Sequence, residues 1–168
     1  MKRALVLLIA ACGTSAAAPK LAVTSPAFAA NAEIPSEYTC EGANGSPALA
    51  WSGAPAQTKV FALIVDDPDA PDPARPQRTW VHWVVPSLPA TSSSLAKGAT
   101  PTAGKNDWGK TEYGGPCPPI GRHRYFFKLY ALDADIGKPG MTAGQLAAAM
   151  KGHVVAEGEL IGTYQKKK

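Results

Sequence analysis

The sequence predicts a mainly β fold, a sandwich or a barrel, and three observations lead there. Short apolar runs of strand length recur between clusters of Pro, Gly and Ser along the 168 residues, the spacing expected of a protein built from many short strands. Only one helix is well signalled, and it comes late, at residues 143–151. Nothing between residues 20 and 135 supplies the helices that alternate with strands in a doubly wound α/β fold.

The strand-like runs fall at residues 21–24, 48–51, 60–65, 80–85, 125–132 and 159–164. Residues 60–65 are apolar without interruption, which fits a central strand covered on both faces. Two-residue alternation places Trp80, His82 and Val84 on one face of their strand. It also places His123, Tyr125 and Phe127 together, with Arg124 and Lys128 opposite. Residues 87–110, rich in Ser, Thr, Gly and Pro, read as a long surface connection. In the helix, Thr142 and Gln145 have capping-box spacing, and Gly152 stands where it can stop the last turn.

Composition narrows the function. No apolar run of about 20 residues follows the N-terminus, so no later segment is long enough to span a bilayer as a helix. The formal charge of +4 sits at the chain ends, in Lys2, Arg3 and Lys166 to Lys168; the other 12 basic residues face 13 acidic ones. A basic groove for nucleic acid is therefore not indicated.

Lys2 and Arg3, the apolar stretch Ala4 to Ala11 and then Cys12 have the layout of an export signal. Ile9-Ala10-Ala11-Cys12 resembles a bacterial lipobox, which implies removal of residues 1–11, acylation of Cys12 and a tether over residues 12–20. Gly13 after the cysteine favours the outer membrane over the inner one by the same resemblance. The expected location is the periplasmic side of the envelope, lipid-anchored; a soluble periplasmic or secreted protein is the alternative. With Cys12 consumed by lipid, Cys40 and Cys117 remain as an even pair in a compartment that permits a disulfide, or else as two buried thiols. No CxxC or HxxxH spacing suggests zinc.

Two segments carry chemistry. The run at 60–65 ends in Asp66-Asp67-Pro68-Asp69-Ala70-Pro71, a group of carboxylates on a proline-stiffened turn. The second, Gly114-Gly115-Pro116-Cys117-Pro118-Pro119-Ile120-Gly121, leads into His123; its glycines permit close approach of backbone N–H groups to a ligand.

These segments, with Trp80-Val81-His82-Trp83-Val84-Val85 between them, resemble the ordered signatures of the phosphatidylethanolamine-binding protein family and its bacterial, Raf kinase inhibitor-like branch. The likeness runs from Thr39-Cys40-Glu41-Gly42 to Gly162-Thr163-Tyr164, within a domain at residues 21–168. It implies an antiparallel β-sandwich of two packed sheets with a few peripheral helices, one near the C-terminus. It also implies a small pocket for phosphate, phosphoethanolamine or a similar anion, lined by Asp67, Trp80, His82, Pro118, Pro119, His123 and Tyr125. The sequence departs from the family pattern at Val81, where some eukaryotic members carry a second His. Cys117 is a bacterial-looking feature, and no long helix is expected after Tyr164.

The function expected is non-enzymatic binding of a small anionic or phospho-head-group ligand, with both imidazoles donating to its oxygens. No cofactor, metal or catalytic residue is expected, and the membrane is reached only through the N-terminal lipid. The alternatives are an interaction protein that inhibits a kinase or protease, as family members are described to do, and a metal-dependent enzyme using His82, His123 and Asp67. Cys12→Ser is expected to move the protein from the membrane to the soluble fraction, read by fractionation and by mass spectrometry of the mature N-terminus.

Overall fold

Among the described residues seven strands form two antiparallel sheets, and their order follows from which runs can be covered on both faces. The computed structural model of the protein describes residues 19–167; the expected signal at residues 1–11 and the acylated Cys12 lie outside them. The larger sheet has the order β4-β3-β6-β7, formed by β3 (Val60–Asp67), β4 (Trp80–Pro89), β6 (Arg122–Leu132) and β7 (Val154–Gln165). The smaller has the order β1-β2-β5, formed by β1 (Ala22–Thr24), β2 (Leu49–Ser52) and β5 (Ser94–Leu95). Every pairing within them is antiparallel.

The two sheets pack face to face. Val23, Leu49 and Trp51 of the small sheet meet Phe61, Leu63, Val65, Trp83, Phe127 and Leu129 of the large one in the main core. On the other side of the large sheet, Val60, Ala62, Ile64, Val84 and Leu132 are covered by Leu146 and Met150 of α1 (Ala143–Met150). The strand with no polar face is thus the one buried throughout, since every residue of β3 is buried. A helix of eight residues is marginal alone, and α1 is held by this i, i+4 apolar pair and by its cap. The Gln145 N–H donates to Thr142 Oγ1, and the Thr142 N–H to Gln145 Oε1. Gly152, at φ +84°, turns the chain out of the helix into β7.

Two sequence readings change. Trp80 and His82 do not share a face with Val84. Register passes from Val65 opposite Trp83 to Asp66 opposite Val81, so β4 carries an extra residue at His82. Such a bulge inverts the alternation beyond it. Trp83 and Val85 consequently point into the main core, while Val84 joins the α1 side. The stretch at 87–110 is also more than a surface connection. It contains the end of β4, all of β5, and Asn106, only 5% exposed. The Asn106 Oδ1 accepts from the N–H groups of Trp108 and Lys110, and its Nδ2 donates to the Glu112 carbonyl, folding the loop back on itself.

Cys40 and Cys117 form a disulfide, with Cα atoms 5.4 Å apart, and both residues are exposed. It joins the segment after a single 3-10 turn, Ser36–Tyr38, to the Gly/Pro loop before β6. The same junction is made by the Cys40 N–H donating to the Pro116 carbonyl and the Gly115 N–H donating to Asn44 Oδ1. Closing a loop with a sequence separation of 77 confines the unfolded chain by roughly 4.5 kcal/mol in the chain-entropy model. Reduction is expected to lower the unfolding free energy by up to that amount; urea denaturation with and without a thiol reductant measures it.

Candidate functional site

Antiparallel pairing brings the C-terminal end of β3 beside the N-terminal ends of β4 and β6. Asp67 lies opposite Trp80, and Asp66 opposite Phe126. The three strand ends, the loop at 114–121 and Trp108 enclose a cavity of about 580 Å³. All seven expected residues line it: Asp67, Trp80, His82, Pro118, Pro119, His123 and Tyr125. Cys117 lines it too, so the disulfide forms part of its wall. Sequence reasoning missed Arg78, Gln77, Trp108, Ala70 and Pro71. Arg78 was within reach, two residues before Trp80 and so on its side of an extended chain. Trp108 had no signal, because it comes from the loop that Asn106 folds.

Alternation along β3 divides its two terminal carboxylates. Asp67 turns to the cavity, while Asp66 turns to the outer face and accepts from Lys128 Nζ at 2.7 Å. Burial nevertheless holds the Asp66 carboxyl above the usual range, outweighing Lys128. Asp69 accepts from the Arg124 backbone N–H, and from its Nε and NH2 groups at 2.9 and 2.7 Å. That guanidinium holds the Asp69 carboxyl below the usual range. Arg124 thus points away from the cavity and pins the turn after β3 onto β6.

His123 is fully buried, and both of its ring nitrogens meet oxygens. Nδ1 lies 2.7 Å from Asp67 Oδ2, and Nε2 lies 2.9 Å from the Ile120 carbonyl oxygen. A carbonyl only accepts, so Nε2 carries a proton; a bare Nδ1 would face a carboxylate lone pair, so a second proton lies between Nδ1 and Oδ2. The pair is neutral as a unit whichever atom holds that proton. The other Asp67 oxygen, Oδ1, accepts the Asp69 N–H at 2.7 Å. The expectation that both imidazoles donate to a ligand therefore narrows to one. His123 offers the cavity its ring but no spare nitrogen, and its stack with Tyr125 at 6.5 Å sets that wall.

His82 is held differently. Its Nδ1 donates to the Gly114 carbonyl at 2.6 Å, while the Gly114 N–H donates back to the His82 carbonyl at 3.0 Å. Burial holds the imidazole below its ordinary pKa, against the opposing effects of Gly114 and Asp67. The neutral ring then carries its proton on Nδ1 and a lone pair on Nε2, which has no protein partner among the described residues. Only glycine fits at 114, since a Cβ would come within 2.5 Å of the Trp108 ring. That ring in turn stands edge-on to His82 at 5.1 Å and to Trp80 at 5.2 Å.

Of the five buried side-chain polar atoms without a partner among the described residues, two belong to cavity-lining residues, the Tyr125 hydroxyl and Trp80 Nε1. Burial, with the Asp67 charge adding to it, pushes the Tyr125 phenol far up, so it is a donor. Tyr125 and Trp80 line the cavity with His82 on aromatic walls, while the hydroxyl and the indole N–H themselves are covered. A metal triad of His82, His123 and Asp67 is not assembled. Both His123 nitrogens are engaged, and no group of three His, Cys, Asp or Glu among the described residues is placed to hold an ion.

The structure is thus an antiparallel two-sheet β-sandwich with a mainly apolar, aromatic-walled cavity at the strand ends that holds a few polar side chains, the usual character of a small-molecule site. The family model for phosphatidylethanolamine-binding proteins matches residues 24–165, and the chain belongs to that family. It is 45% identical over 150 residues to a UPF0098 protein of Methanothermobacter thermautotrophicus, covering 83% of this chain and 95% of that one. The crystal structure of CT736, a family homolog from Chlamydia trachomatis, superposes with a TM-score of 0.81 at 43% identity, covering 88% of this chain and 99% of that one. E. coli YbcL superposes with a TM-score of 0.76 at 33% identity, covering 90% and 100%.

The two sets of polar groups predict different variants. Asp67→Ala leaves Nδ1 of buried His123 without a partner and is expected to cost about 3–5 kcal/mol of stability. Tyr125→Phe removes a buried hydroxyl that bonds nothing among the described residues and is expected to leave stability unchanged or raise it by up to about 1–3 kcal/mol. Urea denaturation of both measures the contrast.

Proposed function

We propose that this cavity binds a small phosphoryl-bearing anion of the phosphoethanolamine type, and that the protein acts by binding rather than by catalysis. The observation that carries this reading is the Tyr125 side chain, which lines the cavity and whose covered hydroxyl has no partner among the described residues, so that a small side-chain adjustment on binding brings it to a ligand oxygen. An unpaired buried hydroxyl costs about 1–3 kcal/mol, and a ligand oxygen relieves that cost. Trp80 Nε1 is a second such donor. His82 Nε2 accepts from a protonated phosphate, or takes up a proton and donates. Membership of the phosphatidylethanolamine-binding protein family favours the same ligand chemistry.

An exported, lipid-anchored form is part of this proposal. It is supported by the sequence at residues 1–12 and by an exposed disulfide at Cys40 and Cys117, a bond that persists in oxidising compartments.

Isothermal titration with phosphoethanolamine tests the reading. Tyr125→Phe is expected to weaken binding by about tenfold or more, the loss of one hydrogen bond to a charged group. The pH dependence follows from His82, whose free-state pKa lies below the usual value. A bound phosphate favours the imidazolium, so the pKa rises on binding and a proton is taken up. Affinity is then expected to strengthen as pH falls from about 8 toward 6, where the phosphate itself protonates. His82→Ala flattens this profile. Titration in two buffers of different ionisation enthalpy counts the protons, and an absence of uptake with unchanged affinity in both variants rejects the reading.

A further inference from the structure

The charges around the cavity cancel everywhere but at one residue. Asp67 and His123 share a proton and are neutral as a pair. His82, with Nδ1 on the Gly114 carbonyl, brings a dipole and no charge in its neutral form. Tyr125 and Trp80 bring only donors. An anion drawn into this interior thus meets hydrogen bonds without a fixed counter-charge.

Arg78 is the one Lys or Arg side chain among the residues lining the cavity. It takes part in none of the ion pairs found among the described residues. Its guanidinium carbon sits 3.9 Å from the centroid of the Trp80 ring. The indole is itself braced by Trp108, at 5.2 Å and 69°. A cation resting on an aromatic face is attracted by the ring's quadrupole, and the contact restricts a long side chain that would otherwise lose rotamer freedom on binding. The contrast with Arg124 is direct, because the Arg124 fork is filled by Asp69.

We propose that Arg78, parked on Trp80, is the charge-specifying residue of this cavity, and that it selects doubly charged phosphomonoesters over singly charged phosphodiesters. The inference rests on the anion-binding reading above. A guanidinium offers paired N–H groups that match two phosphoryl oxygens. A terminal phosphoryl group carries about −1.5 to −2 near pH 7, whereas a diester carries a single charge and has one oxygen blocked by its second ester. Coulomb attraction to Arg78 scales with that charge, so the same residue that strengthens binding also sets the preference.

The experiment is calorimetry of the parent, Arg78→Lys and Arg78→Gln with three probes: inorganic phosphate, phosphoethanolamine and glycerophosphoethanolamine. Each is measured at low and high salt, about 0.02 M and about 0.2 M, since the interaction is screened. Arg78→Gln is expected to lose about 10- to 100-fold in affinity for phosphoethanolamine, a smaller factor for the diester, and most of the salt dependence. Arg78→Lys keeps the charge without the planar fork and falls between. Arg78 is exposed, so the thermal midpoint stays unchanged and folding does not confound the result. Phosphoethanolamine affinity within about twofold of the parent in Arg78→Gln, or equal losses for monoester and diester, overturns the proposal while leaving the anion-binding reading intact. A parent protein that binds none of the three probes overturns both.

Discussion

The buried pair of Asp67 and His123 is the constraint on which the site depends. It joins the end of β3 to the start of β6, and through Nε2 and the Ile120 carbonyl it also holds the last turn of the Gly/Pro loop. The other Asp67 oxygen caps the Asp69 N–H, which sets Asp69 to receive Arg124. One carboxylate thus orders two loops and a strand end. A buried ionisable pair of this kind contributes little net stability compared with apolar packing, but removing one member is costly. Its effect here is geometric, because it fixes where the cavity wall stands.

Around this pair the polar groups fall into two sets. Asn106 is satisfied by the backbone of its own loop, Asp69 by Arg124 and the Gly114 backbone by His82, and these bonds serve the fold. Tyr125, Trp80 and the Nε2 of His82 are held in place by neighbours that touch their rings or their other atoms. Their hydroxyl, indole N–H and Nε2 therefore keep no protein partner among the described residues. Preorganisation of this sort lowers the ordering cost of binding. It requires aromatic walls, and the contacts among His82, Tyr125, Trp80 and Trp108 supply them.

The bulge in β4 and the bracing of the Gly/Pro loop are two answers to one problem. His82 must face the cavity while the next residue, Trp83, faces the main core, and regular alternation forbids that. One extra residue permits it. The loop at 114–121, short of regular backbone pairing, is braced from outside by the disulfide, the Pro116 carbonyl and Asn44. Its Gly114 carbonyl can then direct His82.

Much of this was legible in the sequence because it is local. Strand runs, the Thr142 and Gln145 cap, the uninterrupted core strand and the opposed faces of His123 and Arg124 all follow from residues a few positions apart. The seven cavity residues came from a resemblance spanning separated motifs, and the fold brings them to one cavity. Other features had no local signature. β5 has only two residues and pairs with a strand more than 40 positions away. The inversion after His82 depends on how β4 registers against β3. The arrival of Trp108 depends on Asn106 folding a distant loop. Above all, the sequence determined which residue types were present near the site, but only tertiary structure decided which were already spent. Whether an imidazole nitrogen or a phenol is free depends on acceptors brought from other strands and loops, and no periodicity along one strand contains that information.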